Sequence, residues 1–474
     1  MEEEEPGKKK PSVVLVIDVE NGFDLEKSVC SHGLFMMPPN VWNPETKSLE
    51  RPLRLLSDPS TSLTVHISSS HSSCLHVHVL DTLTLSKQDE QHLLSQVSRM
   101  LRLSENEEIN IREFQKMHLE AKMRGFGRVF RSPSLFEDMV KCILLCNCQW
   151  PRTLAMARAL CELQLKLKPQ VVAEAASSKA SAEHFLPKTP NVREKKRKHV
   201  MTETGHTDLE NNSSTGEVEL DEKIYEEERD GSHEYCNPCE TMKESRIEGF
   251  KCGIGDFPSA AELANLDDQF LAKQCGLGYR AARMVKLAQS IVEGKLQLEK
   301  LEEEIVSAGA VPSVFDKLAS QLSKIYGFGN FTCANVLMCM GFYQVIPTDS
   351  ETIRHLKKVH RISCTNRTVQ SAVEKVYDKY KPFQFLAYWS EVWHFYEETF
   401  GKTSEMPHSD YQLITAHNMR ANKKKNVYSV GLNFKLPTKV WSRNQRQDCR
   451  CLFITRVLAY VPFDLLLVQK SCRH

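Results

Sequence analysis

A chain of 474 residues with 41% hydrophobic and 26% charged residues has the composition of an ordinary globular protein, long enough for more than one compact unit. Its formal net charge of +1 excludes a uniformly basic or acidic chain. It also hides segregation: residues 201–250 hold four Lys/Arg against fifteen Asp/Glu, whereas 121–170 hold nine against three, leaving local surface suited to a polyanion. The sixteen scattered cysteines, many beside apolar residues, do not form the pattern of a disulfide framework and are expected to be reduced, as in an intracellular protein. The start MEEEEPGKKKP lacks the apolar core of a signal peptide. The apolar stretch Val457 to Val468 is too short to span a bilayer and contains Pro462 and Asp464, so no membrane partner is expected.

Residues 12 to about 85 read as strands. Ser12 to Asp18 is a short apolar run, and Leu63 to Ile67 and Leu75 to Val79 alternate with period two. That alternation sends Leu75, Val77 and Val79 to the core and His76 and His78 to the opposite face. With His66 these histidines lack a cysteine or carboxylate to complete a ligand set, so they read as a solvated sheet face and no metal is assigned. From about Asp89 the pattern turns helical. Ser132-Pro133 suggests a helix start with proline in the first turn, and LFEDMVKCILLCNC, apolar on most sides, reads as a central helix. Residues 173–246 lose apolar periodicity and read as a disordered insert within the helical part. Within it, Arg193 to Lys198 (REKKRK) is a nuclear address, a nucleic-acid patch or a solvated charge run, and Cys236-Asn237-Pro238-Cys239 has no second pair at zinc spacing. Helices resume at Phe257-Pro258-Ser259, where Ser259 and Glu262 have capping-box spacing, and continue through CGLGYRAARMVKLAQSIVEG. After about Phe400 the pattern thins, and no functional claim attaches to the last fifty or so residues.

The most informative stretch is LSKIYGFGNFTCANVLMCMGFYQVIPTDSETIRHL, from Leu322 to Leu356. It reads as helix, glycine hairpin (Gly327-Phe328-Gly329), helix, short extended segment, and a lone carboxylate, Asp349, opening another helix. A glycine turn at a helix N-terminus leaves unpaired N–H groups with nothing bulky before them, which suits a phosphate.

This arrangement resembles the helix-hairpin-helix plus Gly/Pro…Asp motif of the DNA base-excision glycosylases. Three further segments (23–55, 130–162 and 266–294) are similar to the alkylbase and 8-oxoguanine members of that superfamily. The resemblance covers about 23 to 400 apart from the insert. It implies an α+β fold: a small antiparallel β-rich domain (11–100), then a two-part helical domain (101–172 and 247–403) split by the insert, with 404–474 a tail of uncertain structure. It also implies a cleft between the helical parts, a phosphate-gripping hairpin of Gly327, Gly329, Asn330 and Thr332, and Asp349 as the catalytic carboxylate. From the residues alone, Asp349 is either that catalyst or a cap for the next helix, and the two roles are compatible.

One departure bears on the reaction. Bifunctional members carry a Schiff-base lysine two residues after the second hairpin glycine. Here that position is Phe331, and no lysine lies between Lys324 and Lys357. The resemblance therefore implies direct hydrolysis leaving an abasic site, without a cofactor. Only Cys364 lies between Asp349 and Cys449, so no iron–sulfur cluster is expected. Phe331 is the aromatic with a positional reason to face the base pocket; Tyr388, Trp389 and Trp393 could stack an extruded base, but at helical spacing they read more readily as core. Asn147, Gln149, Trp150 and Arg152 stand where the family inserts wedge side chains, though Trp150 also fits a core role. The expected activity is excision of a damaged, alkylated or oxidised, base from double-stranded DNA by a nuclear monomer. A glycosylase with strand-cleaving lyase activity and a non-catalytic DNA-binding module are the rivals.

Overall fold

The computed structural model describes residues 12–71, 73–167, 254–308, 312–415 and 418–419. The expected insert and its basic run, and everything after Met419, lie outside them. Five strands, β1 (Ser12–Asp18), β2 (Val41–Asn43), β3 (Ser48–Arg54), β4 (Ser62–His71) and β5 (Cys74–Leu80), form one antiparallel sheet in the order β1-β5-β4-β3-β2. The period-two reading holds: Leu75, Val77 and Val79 are fully buried, and His66 pairs with His78 in register on the other face. β2 and β3 carry no clean alternation, and β3 contains Pro52. Proline is tolerated because β2 pairs only with Ser48, Leu49 and Glu50, so Pro52 needs no ladder partner on that side.

Fifteen helices follow among the described residues. The first, α1 (Leu25–Val29), lies inside the sheet region. Before the insert come α2 (Lys87–Leu101), α3 (Glu105–Met117), α4 (Leu119–Arg124), α5 (Leu135–Leu145) and α6 (Trp150–Leu167). After it come α7 (Ala260–Ala264), α8 (Asp268–Cys275), α9 (Arg280–Val292), α10 (Leu298–Ala308), α11 (Pro312–Ser323), α12 (Asn330–Cys339), α13 (Ser350–Lys358), α14 (Val369–Tyr377) and α15 (Gln384–Phe400). None is long and apolar enough to cross a membrane.

α5 is the central helix, with every residue from Leu135 to Leu144 buried. Each of its large aliphatic side chains contributes roughly 1.5–3 kcal/mol by leaving water. Its start differs from the sequence reading: Ser134 is the cap, accepting from the Glu137 N–H, and Pro133 precedes it rather than entering the first turn. The capping box before α7 is present in full, with Ser259 N–H donating to Glu262 at 2.6 Å and Glu262 N–H to Ser259 at 3.2 Å.

A buried charge cluster joins sheet to helices. Arg51 of β3 grips Glu137 of α5 at 3.2 and 3.0 Å, and Lys141 stands 2.7 Å from the same carboxylate. A second buried arginine fixes α12: Arg102 pairs with Glu107 at 2.6 Å and donates to the Met338 and Cys339 carbonyls, where a cation complements the helix C-terminus.

The segment after α15 is more ordered than its composition suggests. Tyr411 is buried, Trp42 donates to the Ser404 carbonyl at 2.9 Å, and Trp150 donates to the Tyr411 carbonyl at 3.0 Å. Irregular backbone with few apolar residues leaves no periodic signal, yet two indole N–H groups and one buried phenol hold it against the N-terminal region.

Candidate active site

Two Gly-x-Gly turns precede helices, and they differ. Between α8 and α9, Gly276 and Gly278 both have positive φ (+65° and +56°). The following Arg280 and Ala281 N–H groups are used within the turn by the Leu277 and Gly278 carbonyls. Between α11 and α12 only Gly327 is left-handed, at φ +81°, and a Cβ there would lie 2.5 Å from Arg283 Cδ. Gly329 is extended, at φ −103° and ψ −178°, so its backbone does not demand glycine. What its missing side chain leaves is space, for an added Cβ would meet nothing within 4 Å. α12 has no side-chain cap, and the N–H groups of Gly329, Asn330, Phe331 and Thr332 find no acceptor among the described residues. Phe328 is buried and anchors the loop. The hairpin therefore presents a row of free donors at the positive end of a ten-residue helix, a ready site for a phosphate.

The expected hairpin residues divide. Gly329 and Asn330 are exposed, but the Thr332 side chain is buried with its hydroxyl 3.1 Å from Cys146 Sγ, so only its N–H faces outward chemistry. Beside the hairpin lies an open groove of about 800 Å³, lined by Lys286, Lys295, Lys300, Lys324, Tyr326 and the Lys317–Glu304 ion pair (2.7 Å), so it is basic on balance. No local pattern announces it, because α9, α10 and α11 each supply one of its lysines and the connections after α9 and α11 supply the other two.

On its inner side the first turn of α12 puts Phe331 into a second cavity of about 520 Å³, together with Asp349. Four further parts of the chain wall it: His32, Gly33, Leu34, Met36 and Met37 from the N-terminal region, residues between Leu145 and Thr153, Phe385, Tyr388, Trp389, Trp393 and Tyr396 from α15, and Ile414, Thr415 and Met419 after it. The α15 aromatics are thus both buried and pocket-lining. Phe385, Trp389 and Trp393, four residues apart, stack along one helix face with centroids 6.0 and 5.8 Å apart. Their orientation is pinned, since Trp389 donates to the Ser31 carbonyl at 3.0 Å and Trp393 to that of Cys30 at 2.9 Å. His32 packs 4.5 Å from the Trp389 ring, and burial, aided by the Arg102 charge, pushes it down to about 3, so it is neutral.

Asp349 is the N-cap of α13, its Oδ1 accepting from the Thr352 N–H at 2.9 Å, with the Thr352 hydroxyl at 3.0 Å. Cap and pocket carboxylate are one residue. Its Oδ2 receives no hydrogen bond among the described residues. Burial raises its carboxyl above the ordinary aspartate value, and the Thr352 bonds recover only part of that shift. The wall continues with Glu351, clamped by Arg354 at 2.7 Å and by the Tyr396 hydroxyl at 2.7 Å.

Of the expected wedge residues, Gln149 and Trp150 line the cavity, whereas Asn147 and Arg152 do not. Asn147, at φ +45°, and Gln149 are exposed. Their turn is fastened to the first glycine turn: Arg280 donates to the Cys146 and Asn147 carbonyls, and the exposed Arg152 reaches the Gly276 carbonyl at 3.4 Å. Trp150 differs from its neighbours. Its ring covers Gly33, where an added Cβ would lie 3.2 Å from it, and it forms part of the pocket wall.

No family profile and no curated protein matches the chain. Among solved structures it is similar to a 3-methyladenine DNA glycosylase from Archaeoglobus fulgidus, at 15% identity over 81% of this chain and 99% of that one, with a TM-score of 0.48. It is also similar to the 8-oxoguanine glycosylase/lyase of Clostridium acetobutylicum in its apo form, at 15% identity over 80% and 97%, with a TM-score of 0.44. The same enzyme in complex with double-stranded DNA aligns at 12% identity over 80% and 97%, again at 0.44. At identities this low, chemistry has to be read from the side chains.

Proposed function

We propose that this chain is a DNA N-glycosylase that draws a damaged base out of the duplex and hydrolyses its N-glycosidic bond. The observation that carries this is the double use of α12's first turn. Outward it offers four free N–H groups beside a lysine groove; inward it puts Phe331 into an aromatic cavity that holds Asp349. Backbone N–H groups and lysines grip phosphate whatever the sequence. The cavity's stacked rings suit a flat, extruded base, whose unstacking costs a few kcal/mol and least when it is damaged.

Breaking the glycosidic bond leaves positive charge on the sugar. Asp349 is held through Oδ1 by Thr352 and has Oδ2 open in the cavity wall. A fixed carboxylate there stabilises the developing cation and orients or deprotonates the attacking water. None of the cavity's lining residues is a lysine, which supports direct hydrolysis to an abasic site over a Schiff-base route. The pocket would take an alkylated or oxidised base, the partner is double-stranded DNA bound by a monomer, and the setting is the nucleus.

The test is a glycosylase assay on duplexes carrying single alkylated or oxidised bases. The native chain should release a base and leave strands that break only after alkali or heat. Asp349→Asn, which keeps a capping side chain, should lose about 100-fold or more of that activity while binding duplex normally. Full activity in the variant removes Asp349 from the chemistry, and borohydride trapping of a protein–DNA adduct by the native chain replaces hydrolysis with a lyase route.

A further inference from the structure

Behind the Tyr388 wall of the cavity lies a compact polar cluster that the proposed reaction does not use. His355 is fully buried on α13, His360 follows that helix's end, Tyr377 ends α14, and Glu391 belongs to α15. His355 Nε2, His360 Nε2 and Glu391 Oε2 all lie within 4.8 Å of one another, the only such trio of potential ligands among the described residues. Glu391 Oε2 is 3.1 Å from His355 Nε2, 2.7 Å from His360 Nε2 and 2.7 Å from the Tyr377 hydroxyl. That hydroxyl is 3.1 and 3.0 Å from the same two ring nitrogens.

These four atoms converge on one point from three helical elements. Each ring nitrogen carries at most one hydrogen, yet each stands at hydrogen-bonding distance from two oxygens. Protons alone cannot serve every one of these contacts at once, whereas a single cation at the centre serves all four atoms. We propose that His355, His360 and Glu391 form a structural site for a divalent transition metal of the zinc type, with the Tyr377 hydroxyl or a water in the fourth position.

The donor set fits. Two imidazoles and a carboxylate are ordinary zinc ligands, and His355 and His360 have the H-x4-H spacing that zinc sites use. Bonds of about 2.0–2.2 Å in a tetrahedron put ligand atoms about 3.3–3.6 Å apart, so contacts now at 2.7–3.1 Å need to open by less than about 1 Å. Such an ion would fasten α13, whose first residue is capped by Asp349, to α14 and α15. Tyr388 stands edge-on to His355 at 5.4 Å and touches the Thr352 hydroxyl at 3.0 Å, so the site would stiffen the wall that positions the carboxylate.

The test reads metal, not base release, and stands whether or not the glycosylase reading survives. The tag-free full chain is stripped with chelator and titrated with Zn²⁺, and separately with Co²⁺. One equivalent of Zn²⁺ should bind and raise the thermal midpoint, and Co²⁺ should give the visible bands of a tetrahedral nitrogen–oxygen site. His360→Gln, at a half-exposed position, and Glu391→Gln should each weaken binding by more than roughly 100-fold, since loss of even an outer-shell partner costs about 10–100-fold. No stoichiometric binding would show a hydrogen-bonded cluster only. Binding unchanged in the variants, or a thiolate-to-cobalt band, would place the metal on cysteines; either result overturns the proposal. If a variant fails to fold, the Co²⁺ spectrum of the native chain decides alone.

Discussion

Two carboxylates in this molecule, one fully and one partly buried, have been pushed in opposite directions. Glu137, at the seam between sheet and helices, would be raised by burial, but Arg51 and Lys141 beside it hold it at about 2. Asp349, in the pocket wall, is only partly buried and has no cation in contact, only Thr352, and its carboxyl rises above the usual value. The first group gives its charge to the fold. The second holds its charge against the fold's interest, and such a group is useful when a positive charge appears nearby during a reaction. The less buried of the two carries the raised carboxyl, so the company of a cation, more than depth, sets the direction here.

The largest effect expected from breaking this contrast is at the seam. Glu137→Gln leaves Arg51 and Lys141 buried without their shared counter-charge and should cost roughly 3–5 kcal/mol, read by denaturant unfolding. A depressed carboxyl contributes stability that is fully present above its unfolded value of 4.5 and is lost as pH falls towards its folded value of about 2. The gap between native and variant stability should therefore shrink across that window. A constant gap would mean that shape, not charge, joins the two parts.

At Asp349 the sign reverses. The native state binds this proton more tightly than the unfolded chain, so ionisation costs stability as pH rises through the raised value. Asp349→Asn should then unfold at the same temperature as the native chain or higher at neutral pH, while losing base release. The native pH–rate profile should fall on the acid side at a pH above the ordinary aspartate value, because only the ionised form stabilises the sugar cation. A variant markedly less stable at neutral pH would make Asp349 a structural acid like Glu137.

The smallest effects separate the two glycine turns. Gly329→Ala meets open space in an extended backbone, so stability should hold while duplex binding weakens several-fold, equally on damaged and undamaged DNA. Gly276→Ala, at φ +65° with its loop donors used internally, should cost about 1 kcal/mol of stability and leave binding alone. Lesion-dependent loss in Gly329→Ala would assign the hairpin to the base pocket instead of the phosphate grip.

The sequence by itself determined the features that depend on neighbours a few residues away. The alternation of Leu75, Val77 and Val79, the Ser259/Glu262 capping box, the hairpin before α12 and the carboxylate opening α13 follow from local periodicity, caps and glycine positions. Tertiary structure alone decided what those features face. It set Trp389 and Trp393 of α15 against the carbonyls of Ser31 and Cys30, more than 350 residues earlier, and folded 404–415 under Trp42 and Trp150. It likewise turned Thr332 inward, paired Arg51 with Glu137, and brought Glu391 to His355 and His360. These contacts join segments far apart in the chain. Their partners are chosen by packing, which satisfies buried polar groups and fills volume across the whole core, and a pattern read within one segment carries no record of that choice.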